Sequence, residues 1–194
     1  MAFNINEFTK RGLELGGARP TLFSVVLTIP SNITAIIGGI SRDAEEKFTF
    51  TCKATAAPAS SISAIDVNYF GRTIKVAGDR TFQDWNVTVI NDEDFLVRDT
   101  FEAWHNAINT IVSNKKLVVG NSYTGTGLIT QFDKNGQPIK AYNIVEAFPT
   151  NISDMALSWD SQNTIQEFGV TFAYNYFEPV VIASEATINT EADF

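Results

Sequence analysis

Cysteine is nearly missing from this chain. Cys52 stands alone among 194 residues, so no disulfide can close within one copy, and a lone thiol fits a reducing compartment. It alternates with Phe48 and Phe50, which reads as a buried core thiol and not a nucleophile. Histidine is as scarce, with His105 the single one. Positive charge is in short supply: 14 Lys and Arg face 22 Asp and Glu, a net charge of −8. Such a balance argues against ordinary nucleic-acid binding, which needs a basic footprint for phosphates. Part of it is local, because beyond Tyr176 the chain holds Glu178, Glu185, Glu191 and Asp193 and no Lys or Arg. Long apolar runs are absent too. The most apolar window, Ile33 to Ile40, is far too short to span a bilayer. The opening Met-Ala-Phe-Asn-Ile-Asn-Glu-Phe has no basic segment followed by an apolar one, so no signal peptide is expected. These absences predict a soluble, intracellularly made protein with no membrane partner.

What is present is apolar and aromatic. At 44% apolar residues with fifteen Phe, the chain can bury one sizeable core, and its length suits one domain with appendages. The charged fraction of 19% is low and the aromatic fraction of 12% high. A subunit with large interfaces shows this profile, and so does a large β core.

The reading is organised around Tyr69 to Asn91. Ile74 and Val76 alternate with Thr73 and Lys75, and Trp85, Val87 and Val89 alternate with Asn86 and Thr88, the period of half-buried strands. Ala77-Gly78-Asp79-Arg80 between them reads as a turn. Ahead of this stretch, residues 1–17 read as an N-terminal arm and Leu22 to Ile29 as the first strand, ended by Pro30. Ser31 to Glu46 reads as a long loop or elaborated hairpin tip, Phe48 to Ala54 as the second strand, and Ala56 to Ser61 as a loop. Ala64 to Phe70 alternates again, with Ile65, Val67 and Tyr69 on one face and Asp66 and Asn68 on the other. Gly71 turns it back into a long hairpin.

One helix is convincing. It starts at Asp92-Glu93-Asp94, capped by Asn91 or Asp92, and carries Val97, Phe101, Trp104, Ile108 and Ile111 as one apolar stripe. Lys115 and Lys116 follow at its carboxyl end. Leu128 to Phe132 and Ile139 to Ala147 form a hairpin around the Asn135-Gly136 signal, and Pro138 there suggests an edge. Phe148-Pro149-Thr150-Asn151 ends that strand. Leu157 to Asp160 reads as a short strand and Ile165 to Phe177 as the longest one. Residues 178–194 lose periodicity and read as an acidic C-terminal tail. The tally is seven to nine strands, one main helix and a single domain over 18–177.

Catalysis finds no support. His105 has no metal-ligand partners at helical spacing, and no Gly-x-Ser-x-Gly elbow precedes a helix. The glycine-rich run Gly120 to Gly127 is followed by Leu128 where a phosphate loop needs Lys, so it reads as a connector. The glycosylation triplets at Asn32, Asn86 and Asn151 carry no weight without a secretion signal. No cofactor, metal or catalytic residue is expected.

Several runs resemble the tail tube proteins of contractile-tailed bacteriophages. They are Ala18 to Phe23; Phe48 to Pro58 with its Cys-Lys-Ala-Thr-Ala-Ala-Pro; Arg72 to Glu93 with Gly-Asp-Arg-Thr-Phe-Gln-Asp-Trp; and Phe148 to Phe168 with Leu-Ser-Trp-Asp-Ser-Gln-Asn. In order, they span about residues 18–178. The resemblance implies a mainly β (α+β) fold, an antiparallel β-sandwich or barrel-like subunit with one main flanking helix and a long protruding hairpin. It implies a structural virion protein, assembled in the host bacterial cytoplasm, whose hexameric rings join their inner sheets into a continuous barrel. The rings stack into a tube inside the contractile tail, the conduit for DNA ejection. Partners so implied are further copies of the chain, the tail sheath, the baseplate and tail terminator, and the tape-measure protein and DNA in the lumen, without sequence-specific binding.

In that family a long hairpin reaches the neighbouring ring. The matching positions run from Ile65 to Arg80, which makes Ile65, Val67, Tyr69, Phe70, Arg72, Lys75, Asp79 and Arg80 the expected contacts; a local turn pair is the alternative for Asp79 and Arg80. An acidic lumen would repel phosphate and prevent sticking, and Asp66, Asn68, Gln131, Asp133 and Glu167 are candidates to line it. Two other functions compete: a tube subunit of a contractile injection or secretion machine, with protein as cargo, and a carbohydrate-binding β-sandwich module.

Overall fold

The structure, a computed structural model, describes residues 5–14, 16–37, 41–120 and 122–182. The body is built on one strand that serves two sheets. Strand β7, Pro138–Ile152, pairs over its first half with β6 (Gly125–Phe132) and β9 (Tyr176–Val180). Over its second half it pairs with β8 (Glu167–Ala173). The first sheet is completed by β1 (Phe23–Thr28) beside β6, and the second by β5 (Trp85–Ile90) beside β8 and β2 (Cys52–Thr55) beside β5. All these pairings are antiparallel. The change of sheet occurs where Glu146 takes a left-handed φ of 57° and the register slips between Pro149 and Asn151. A bulge of this kind lets one strand bend and twist enough to join two layers. Pro149 therefore sits inside β7 and does not end the strand.

The two sheets face each other across the core, as alternation predicts for β5 and β8: Trp85, Val87 and Val89 and Phe168, Val170 and Phe172 are all buried. From the first sheet Val25, Leu27, Ile129 and Ile144 point inward. Gly127 on β6 shows how closely the layers approach. A Cβ there would stand 2.9 Å from Cζ3 of Trp85, so the indole occupies the room a side chain would need. The result is sandwich-like, and the barrel stays open, because among the described residues β1 pairs only with β6 and β2 only with β5.

The main helix, α4, runs Leu96–Ile108, so its cap falls three to four residues later than the expected Asn91 or Asp92. Its N-cap is Phe95, in left-handed conformation with no side-chain cap bond. The carboxylates order the turn ahead of it instead: Asp92 Oδ1 accepts from the Glu93 N–H and Asp94 Oδ1 from the Leu96 N–H. Val97, Phe101 and Trp104 are buried as expected. Phe101 and Trp104 both pack edge-to-face on Phe172, at centroid distances of 5.7 and 6.4 Å. Ile111 lies past the helix end and is exposed.

The described part of residues 31–46 is helical and not a loop. It holds α2 (Ser31–Ile37) and most of α3 (Ser41–Thr51). Ala44 and Phe48, four apart, are buried against the body, and Phe48 meets Phe101 edge-on at 5.8 Å. Phe-Thr-Phe-Thr looks like a strand, but Thr49 and Thr51 return their hydroxyls to the carbonyls four residues back, a helical habit. Phe50 consequently points to solvent, and β2 begins only at Cys52. The Cys52 thiol packs against the core rim, and burial pushes its pKa up to about 12.

Other departures are local. Residues 5–12 of the arm form α1, Ile5–Gly12. Leu157 to Asp160 is irregular, and Ile165 to Phe177 divides into β8 and β9 around Asn175. Glu178 to Val180 belongs to β9, while residues 183–194 of the expected acidic tail lie outside the described residues. The 133–138 hairpin forms as read: Asp133 Oδ1 accepts from the N–H of Asn135 and of Gln137, both at 2.8 Å.

Lys47 ties α3 to the entrance of α4. Its ammonium is 2.5 Å from Asp94 Oδ2 and also pairs with Asp92. Hydrogen bonding to Lys47 holds both carboxyls below the ordinary 3.8, and the carboxylates raise Lys47 above 10.5. Depressed carboxyl pKa values stabilise the fold fully above the unfolded value and lose that contribution as pH falls through the lower folded values. The raised ammonium acts in the opposite sense, contributing until pH rises through its folded value. Lys47→Met should therefore lower the melting temperature near neutrality and flatten its decline below about pH 4 relative to wild type, as read by thermal scans from pH 2 to 7.

Candidate assembly surface

Among the described residues, strands β3 (Ser60–Tyr69) and β4 (Arg72–Phe82) pair only with each other. Phe70 and Gly71 turn them with φ of 44° and 77°, the doubly left-handed geometry that matches the twist of a tight hairpin. The expected turn at Ala77 to Arg80 does not form. β4 continues through it with a bulge opposite Ser63, where a Cβ on Gly78 would stand 2.6 Å from the Ser63 hydroxyl.

The ribbon is two-faced. Ile65 opposes Val76, Val67 opposes Ile74 and Tyr69 opposes Arg72, all on one side. Asp66 opposes Lys75 and Asn68 opposes Thr73 on the other, where Lys75 Nζ lies 3.4 Å from Asp66 and Thr73 donates to Asn68 at 2.8 Å. The alternation is that of a strand on a core, yet no core covers it: every residue of β3 is exposed. The hairpin is anchored at its root, where Phe82 packs on Tyr174 and Phe177. Isolated two-stranded ribbons are marginal in water, and one with a bare apolar face needs a partner.

The structure thus brings Ile65, Val67, Tyr69, Phe70 and Arg72 together at one tip and face. Lys75 lies on the opposite face, and Asp79 and Arg80 lie near the root, with Arg80 opposite Ile62. The lumen candidates occupy three separate places. Asp66 and Asn68 are on the ribbon, Gln131 and Asp133 at the end of β6 and its turn, and Glu167 at the start of β8, paired with Lys53 at 2.5 Å.

A second exposed apolar segment surrounds Leu157 to Asp160, the run that reads as a short strand in the sequence and is irregular in the structure. Residues 153–166 are pinned at both ends: Ser153 and Gly169 exchange two hydrogen bonds at 2.8 Å, and Asn91 donates to Gln166 at 2.9 Å. Between these anchors Leu157, Trp159 and Ile165 project into solvent, Trp159 completely. The signal was there in Trp159 flanked by polar residues, but four alternating residues looked like a strand.

His105 is half-buried and donates to the Pro149 carbonyl at 3.1 Å. Burial pulls its pKa below 6.5, against the pull of that carbonyl and of Glu102. It stands beside a cleft of about 420 Å³ between α4 and β7, walled by Ile108, Phe148, Pro149 and Ile152. Among the described residues no cluster of His, Cys, Asp and Glu could hold a metal, and no helix is long and apolar enough to cross a membrane.

The overall fold is shared with chains of contractile injection machines. The chain resembles one from the tube-terminating cap of the anti-feeding prophage, with a TM-score of 0.59 at 15% identity over 86% of this chain and 92% of that one. It also resembles one from the sheath–tube complex of an extracellular contractile injection system, with a TM-score of 0.54 at 14% identity over 93% and 100%. A family model described as phage tail tube protein matches residues 18–179, and the chain belongs to that family. The tail tube protein of Enterobacteria phage T4 is 37% identical over 174 residues, 87% of this chain and 96% of the relative. That of Serratia phage KSP90 is 24% identical over 177 residues, 91% and 96%. The family read from Gly78 to Trp85 and its companion runs is borne out.

Proposed function

We propose that this chain is the structural subunit of the inner tube of a contractile phage tail, assembling as stacked hexameric rings into the conduit for DNA ejection. The observation that carries the reading is the β3–β4 ribbon, an apolar face held away from its own core with nothing among the described residues to cover it. Repetition supplies the cover. A subunit whose ribbon docks on the next copy makes a heterologous contact, and such contacts propagate into open assemblies. The unpaired edges β1 and β2 are satisfied in the same way if neighbours in a ring add to each other's sheets. The role is one of shape and assembly, with no reaction to catalyse.

The tube's partners follow from its place in the tail: the sheath outside, baseplate and terminator at its ends, tape-measure protein and DNA within. The virion is its site, reached by assembly in the host cytoplasm. A wall carrying Asp66, Asn68, Gln131, Asp133 or Glu167 inward would repel phosphate and let DNA slide. The 37% identity to the T4 relative favours phage over an injection or secretion machine, whose chains share the fold at far lower identity.

Negative-stain microscopy and sedimentation of the concentrated protein, with and without a baseplate complex, test the reading. Rings or hollow tubes with a central channel are expected. A monomer that stays featureless even with baseplate present would overturn it.

A further inference from the structure

The ribbon and the 153–166 loop leave the body at opposite poles. The ribbon joins β5 at Trp85, and the loop returns through Glu167, which pairs with Ile90 at the far end of β5. Six residues of strand separate them, about 17 Å of rise. They are complementary in character. The apolar face of the ribbon ends in Arg72, which has no acidic partner in ion-pair reach among the described residues, whereas Lys75 already pairs with Asp66 across the polar face. The loop carries Asp154 and Asp160 and no Lys or Arg, and neither carboxylate has a cation in ion-pair reach among the described residues. Its tip sets the bare indole of Trp159 beside Asp160, a surface suited to a guanidinium, which stacks on indole and pairs with a carboxylate.

From this we infer that the loop 153–166 is the receptor for the ribbon of the next copy, with Arg72 of one subunit engaging Trp159 and Asp160 of its neighbour along the stack. The inference rests on the tube reading and names the partner of its central surface. It also explains the loop's construction. Both ends are fastened to the sheet by hydrogen bonds while the middle is left bare, which presents Trp159 on a rigid base and limits the ordering cost on docking. Because the donor and acceptor surfaces sit at opposite poles, a subunit cannot satisfy both by itself, and two copies cannot close on each other without leaving one of each free.

Charge reversal tests it. Arg72→Asp and Asp160→Arg, each alone, should raise the critical concentration for tube growth by about tenfold or more through like-charge juxtaposition, while the double variant should return most of the way to wild type. Both positions are exposed, so melting temperatures should not move. In a Cys52→Ala background, Tyr69→Cys in one population and Trp159→Cys in another should form a disulfide between copies within tubes and not within isolated rings. Wild-type tubes whose single reversals grow normally, or whose double reversal stays as impaired as the singles, overturn the inference and leave the tube reading standing. A cross-link already present in unstacked rings overturns it as well. Failure of the wild type to form tubes with baseplate removes both.

Discussion

Converting Ile65, Val67, Ile74 and Val76 together to Thr should abolish tube growth and leave the folding transition where it is. Thr keeps the branched Cβ and strand preference of the residues it replaces, so the ribbon should keep its register. What is lost is the apolar face, at about 1 kcal/mol for each side chain that would be buried on docking. Four such losses per contact amount to roughly a thousandfold in the concentration needed for growth, multiplied around every ring. The fold should not notice. These side chains are between 46% and 53% exposed in the subunit and cover nothing but one another. Sedimentation should find the variant in the soluble fraction at concentrations where wild type pellets, and scanning calorimetry should find equal melting temperatures. Equal growth would mean that the apolar face is not an interface.

The opposite outcome is expected from Trp104→Ala. Trp104 is fully buried, its ring packs on Phe101 and Phe172, and its indole N–H donates to the Tyr123 carbonyl at 2.8 Å. Truncation leaves a ring-sized cavity where α4 meets the second sheet and an orphaned carbonyl on the approach to β6. Substitutions of this kind cost about 3–5 kcal/mol, which for a chain of this size lowers the melting temperature by roughly 6–20 °C. Little can relax to fill the space. The Cβ position of Gly125 lies 3.1 Å from Trp104 Cη2 and 2.4 Å from the Thr28 carbonyl, so β6 already presses against the ring. Calorimetry of the purified subunit reads the loss directly, and a change below 1 kcal/mol would mean that α4 does not seal the core.

Where one face of an element meets a core, the sequence spoke clearly. Trp85 to Val89 and Phe168 to Phe172 alternate because each strand has a dry side, and Val97, Phe101 and Trp104 follow the turn of a helix for the same reason. The ribbon shows the limit of that signal. Ile65, Val67 and Tyr69 alternate as faithfully as any core strand, and periodicity cannot say whether the dry side belongs to the same subunit or to another copy. Residues 41–51 failed for a different reason. The β-branched and aromatic Phe-Thr-Phe-Thr outweighed the four-residue spacing of Ala44 and Phe48, and tertiary burial against Phe101 overrode local preference. Trp159 misled because Leu157 and Trp159 alternate with Ser158 and Asp160 as in a strand, and a run of four residues is too short to tell a strand from an irregular loop. The family resemblance, by contrast, rested on particular residues such as Gly78 to Trp85, which is why it identified the chain where patterns alone could not.

The long ribbon is covalently continuous with β5, and this has a mechanical meaning. If the ribbon docks on the 153–166 loop of the next copy, tension along the stack enters a subunit through β4, passes two residues on into β5, and leaves through the loop that leads into β8. The β5–β8 ladder, six residue pairs long, is then pulled along its length and not peeled from one end. Hydrogen bonds loaded in shear share the force and yield together, whereas bonds loaded one at a time unzip. A wall woven in this way resists stretching best along the very axis on which a contracting tail would drive it.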